Sequence, residues 1–146
     1  MALSANNGSE RARQLIILTR RLSERLDHET ALLRAHRPQD LFDGIEETRA
    51  LSNLYRHESA RVKADIGLLS GMTPQEQKDL REATSAFQTR LQSYEQAVNA
   101  AKTITEGIIS AVAADLSAMR AQNMTYGPRA KTIVQGPQSL NFGHKA

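Results

Sequence analysis

Residues 70–80 read SGMTPQEQKDL, and this short stretch decides how the chain folds. Gly71 can take the left-handed conformation that closes a preceding helix. Thr73 and Glu76 stand three apart as a capping box, with Pro74 between them at the first helical position. One helix must end here and another begin. Downstream, Leu80, Thr84, Phe87, Leu91, Tyr94, Val98, Ala101, Thr105, Ile108, Val112, Asp115 and Met119 alternate steps of four and three. That is a seven-residue repeat, and it predicts one helix over about residues 74–122 with a left-handed, coiled-coil-like seam. Thr84, Thr105 and Asp115 are weak seats in it, and Gly107 costs about 1 kcal/mol relative to Ala.

Upstream of the stop, Leu41, Ile45, Leu51, Tyr55, Val62, Ile66 and Leu69 continue an apolar stripe and predict a second helix over about residues 38–69. Leu15, Leu18, Leu22, Leu26 and Leu33 predict a first helix over about residues 9–36, with Ser9 as its cap. Pro38 either starts the second helix or kinks a longer one. The fold class that follows is all-α: an elongated antiparallel helical hairpin or three-helix bundle with one very long C-terminal helix. The body is placed at residues 1–122. A flexible tail is expected over residues 123–146, which hold two Gly-Pro pairs and no acid.

Helix lengths then raise a question. A second helix of about 32 residues, laid antiparallel, reaches only some two-thirds of the third. Ile104, Ile108, Ile109, Val112, Leu116 and Met119 are left without an intramolecular partner, and apolar stripes of that size are rare unless something binds them. Helix-in-groove recognition uses such side chains as anchors, and Tyr126, Leu140 and Phe142 extend the series into the tail.

Composition narrows the function. The chain has 146 residues, a net charge of +3, no Cys and no Trp. Thiolate metal sites and disulfides are thereby excluded. No apolar run is long enough to predict an integral membrane segment, and residues 1–13 lack the order of a signal peptide, so a cytoplasmic location is expected. His28, His36, His57 and His144 make no metal-ligand spacing, and adjacent Glu46 and Glu47 face different sides of a helix. No phosphate loop or nucleophile elbow occurs, so neither an enzyme nor a cofactor is expected. Residues 11–37 carry seven arginines against three acids, which is more often a solvated helix face than a nucleic-acid surface, and no nucleic-acid partner is expected.

Three stretches together resemble the FlgN family of flagellar export chaperones. In RLDHETALLRAHRPQDLFDGIEETRAL, residues 25–51, Leu26, Glu29, Leu32 and Leu33 precede a break, and Leu41, Ile45, Glu46, Glu47 and Leu51 follow it. YEQAVNAAKTITEGIISAVAADLSAM, residues 94–119, is similar to the family's long last helix, with Val98-Asn99 in its apolar-Asn step. MTYGPRA, residues 124–130, resembles the Tyr-Gly element after that helix. The chain departs from the pattern at Lys102, where the family often repeats its Asn, and at Pro128, Arg129 and Ala130, where a Gly is frequent. The resemblance implies a cytoplasmic chaperone that holds flagellar hook-associated proteins of the hook–filament junction before type III secretion, in contact with the export apparatus. A different class, a structural coiled-coil adaptor that self-associates through the third helix, fits the same seam.

Overall fold

The computed structural model describes residues 3–126, with side-chain surroundings through residue 123. The described residues contain three α-helices, α1 (Gly8–Arg34), α2 (Ile45–Ala64) and α3 (Pro74–Tyr126), and no strand. The chain divides into two compact units, Met1–Ala101 and Lys102–Ala146. The expected flexibility of the tail falls largely on residues outside the described range, although α3 itself continues to Tyr126 rather than stopping near residue 122.

The first unit is built on the stop at residues 70–80. Gly71 has φ +89°, the left-handed turn expected of it. The Glu76 amide donates to Thr73 Oγ1 at 3.1 Å, and the Thr73 amide donates back to the Glu76 carboxylate at 2.8 Å, closing the capping box. Glu76 also accepts from the Ser9 hydroxyl at 2.8 Å and faces Arg13 at 3.3 Å, so the start of α3 is tied to the start of α1. Further along, Arg90 meets Asp27 at 3.0 Å. These pairs make α1 and α3 parallel. Arg11 with Glu58 and Arg21 with Glu47 make α2 antiparallel to α1, which completes an up-down-up bundle.

Two boundaries differ from expectation. The cap of α1 is Asn7, whose side chain accepts from the Glu10 amide at 2.8 Å; Ser9 lies inside the helix and is engaged with Glu76 instead. The second helix is shorter than residues 38–69. Pro38–Gly44 is 3₁₀, and Asp65 turns extended and accepts from the Gly67 amide at 3.0 Å, which diverts the backbone into a second 3₁₀ turn, Ile66–Leu69. Pro38 therefore separates two helices. α1 has already ended in a Schellman motif: Arg37 N–H reaches Leu32 O at 2.9 Å and His36 N–H reaches Leu33 O, with His36 at φ 58° in the place usually held by Gly.

The core is two apolar clusters with polar layers between and above. Ala12, Leu15 and Leu69 form the lower cluster, joined by Leu3, Val62, Met72 and Leu80. Leu22, Leu26 and Phe87 form the upper one, with Leu51, Tyr55, Leu91 and Tyr94 around it and the Tyr55 and Phe87 rings 4.7 Å apart. Gly8 is required where α1 crosses the turn before α3, because a Cβ there would meet Ser70 O at 2.0 Å.

Glu58 is fully buried, at 0 % exposure. It accepts from the Leu3 amide at 2.9 Å, Arg11 at 3.0 Å and Arg61 at 3.2 Å. Burial pushes its carboxyl pKa up, but the Leu3 amide and the Arg61 and Arg11 guanidiniums outweigh burial and hold it below the usual value. Glu29 anchors the other layer, accepting from Thr48 at 2.5 Å, facing Arg25 at 3.7 Å and bonded to Tyr94, whose pKa is raised by burial and by the Glu29 charge.

Candidate partner-binding surface

The second unit begins at Lys102 and its described part is the helical segment to Tyr126. Nothing in the local sequence breaks it: Ala111, Ala113 and Ala114 are strong helix formers, and Gly107 has open space around it. Lys102 and Glu106 pair at 3.9 Å one turn apart on its surface. A surface pair of this kind adds only a few tenths of a kcal/mol.

The large apolar side chains are solvent-exposed: Ile104 46 %, Ile108 59 %, Ile109 63 %, Val112 52 %, Leu116 54 % and Met119 59 %. At about 100° per residue these six fall within an arc of roughly 140°, from Ile104 at one edge to Ile109 at the other. The rest of the circumference carries the small residues Gly107, Ser110, Ala114, Ser117 and Ala118 and the charged Lys102, Glu106 and Arg120. The structure thus brings the sequence-named residues Ile104, Ile108, Val112, Leu116 and Met119 onto one exposed face. Ile109 belongs with them. Tyr126 closes α3, and its side chain, like Leu140 and Phe142, lies outside the described residues.

The arc also changes how the seven-residue seam reads here. Two of its seats are Thr105 and Asp115, while Ile104, Ile109 and Leu116 lie to either side of it. The apolar face is wider than the two-in-seven seam of a two-stranded coiled coil.

Four of the six arginines of α1 have a structural explanation that spacing alone did not reveal. Arg11 pairs with Glu58, Arg13 with Glu76, Arg21 with Glu47 and Glu24, and Arg25 with Glu29 and Glu47. Glu58 and Glu47 come from α2 and Glu76 from α3, so part of the charge of a helix that looks basic in isolation is met across the bundle. Between α2 and α3 lies a cleft of about 340 Å³ floored by Leu15 and walled by Val62, Leu69 and Leu80. It gathers no acid–base pair, and no cluster of three or more metal-ligating side chains occurs among the described residues. No helix among them is long and apolar enough to cross a membrane.

A helical bundle and a helical segment with an exposed apolar face define an all-α protein whose distinctive surface is that face. Comparison with known proteins gives the biological setting. The chain is 40 % identical over 128 residues to the flagellar basal-body protein FlbY of Caulobacter vibrioides, covering 87 % of this chain and 86 % of the relative. It belongs to that family and is a flagellar protein. No family model matches the chain, that of the FlgN family included, and no solved structure matches it.

Proposed function

We propose that this protein is a non-enzymatic export chaperone of flagellar assembly, which holds hook–filament junction proteins in the cytoplasm before type III secretion. The flagellar relative supports the organelle, and the three FlgN-like stretches supply the chaperone reading. The observation that carries it is the exposed face from Ile104 to Met119, large enough in apolar content to call for a macromolecular occupant. The client docks on this face, and Tyr126, Leu140 and Phe142 add anchors beyond it. Contact with the export apparatus belongs to the same reading.

The test is calorimetric titration with a purified hook–filament junction protein. Ile108→Asp combined with Val112→Asp puts two charges into the desolvated contact and abolishes binding while the protein stays helical, because a few large apolar side chains dominate such interfaces. Unchanged affinity in that variant removes the site. No binding by the intact protein removes the chaperone reading, and a concentration-dependent dimer in sedimentation would favour the self-associating adaptor instead.

A further inference from the structure

The width of the exposed face says what kind of partner covers it. In the first unit, α3 presents Ala83, Phe87, Leu91, Tyr94 and Ala97 to the bundle, all buried or half-buried. At about 100° per residue these occupy an arc of roughly 120°, from Ala97 to Leu91. Two helices are needed to cover it: Leu22 and Leu26 come from α1, and Leu51 and Tyr55 come from α2. A single partner helix in a coiled coil covers only a narrow a/d seam.

The exposed face in the second unit is as wide, at roughly 140° on the same count, and its edges are large side chains, Ile104 and Ile109. Both edges are well exposed, and both would stay wet beneath one helix. We infer that the partner presents a pair of packed amphipathic helices, and that α3 supplies the third helix of a bundle formed between the two proteins. The partner's facing surface is apolar apart from a polar or basic group opposite Asp115, which falls inside the face between Ile104 and Ile108, while Lys102, Glu106 and Arg120 lie beyond the Ile109 edge.

This inference rests on the proposed function, and the experiment separates the two. The chain contains no Cys, so single substitutions give clean labelling sites. Cysteine is placed at Ile104, Ile108, Val112 and Ile109 across the face, and at Ser110 and Ala114 opposite. Maleimide labelling rates are measured for the full chain, alone and with a saturating purified hook–filament junction protein, after circular dichroism has shown each variant to be helical.

The expected result is that both edge positions, 104 and 109, slow together with 108 and 112 by about tenfold or more on adding the partner, as in a dry interface core. Positions 110 and 114 keep their rates. Protection of only one edge would mean a single helix, overturning the inference while leaving the proposed function standing. Protection in the free protein that grows with concentration would make the occupant a second copy. Concentration-independent protection that disappears when residues 127–146 are removed would make it the chain's own C-terminal segment. Either outcome overturns the inference, and no protection by the partner at any position overturns the proposed function as well.

Discussion

Glu58→Ala is the substitution whose cost the geometry defines best. The carboxylate is wholly buried and Arg11, its partner on α1, has a side chain only 9 % exposed. Removing the anion leaves that guanidinium dehydrated without a counterion, a situation that costs about 3–5 kcal/mol. Arg61 adds little, because its side chain is 36 % exposed and can return to water. Against a typical domain stability of about 5–15 kcal/mol, the loss brings the first unit close to unfolding. With a urea slope of about 1–3 kcal/mol per molar, the midpoint falls by at least about 1 M. Tyrosine fluorescence is a suitable readout, because Tyr55 and Tyr94 both lie in the upper cluster and the chain has no Trp. The companion variant replaces both ions, Arg11→Met with Glu58→Leu. It recovers most of the lost stability, since an apolar pair of similar volume carries no desolvation penalty. A midpoint for Glu58→Ala within about 0.3 M of the parent, or a double variant no better than the single, would refute the account of this ion pair.

Three further outcomes are expected. Phe87→Ala costs about 3–5 kcal/mol in the same urea titration, whereas Ile108→Ala stays within about 0.5 kcal/mol because its side chain is already wet. Gly107→Ala raises the helical signal at 222 nm and adds up to about 1 kcal/mol to local helix stability, since a Cβ there meets nothing within 4 Å. The depressed pKa of Glu58 means that the unfolded chain takes up its proton first; its stabilisation is present above the unfolded carboxylate value of about 4.3 and is lost as the pH falls below it. Midpoints measured between pH 7 and pH 3 therefore drop more steeply for the parent than for Glu58→Gln.

The elements that sequence reading located well are those written in local chemistry. The turn through Gly71, Thr73 and Glu76 formed as its residue types require, and all five leucines of the α1 stripe are buried. Missed features depend on partners distant in sequence. Ser9 is an acceptable cap by residue type, yet Asn7 holds that position and Ser9 binds a carboxylate 67 residues away. Along α2 the apolar residues suggested a continuous buried stripe, but its buried positions are Thr48 and Glu58, and Ile66 is 78 % exposed. A buried carboxylate looks like any surface Glu until Arg11, Arg61 and the Leu3 amide are brought around it. The candidate surface was legible for the opposite reason. Its large apolar residues recur at helical spacing beyond the length that a second helix of about 32 residues was expected to cover, so periodicity and length alone pick them out.

The parallel pairing of α1 with α3 bears on how the chain is made. Leu22 and Leu26 complete their cluster only with Phe87, and Ser9 finds its carboxylate at Glu76. At roughly 5–20 residues per second, α1 waits several seconds on the ribosome before the first turns of α3 emerge. During that interval the antiparallel hairpin of α1 and α2 is the only available structure, held by the Arg11–Glu58 and Arg21–Glu47 pairs while one side of its leucine row stays open. A ribosome stalled before Phe87 would therefore display a sticky two-helix intermediate. Synonymous codons that slow elongation between Ala64 and Phe87 should lower soluble yield without altering a single contact of the finished protein.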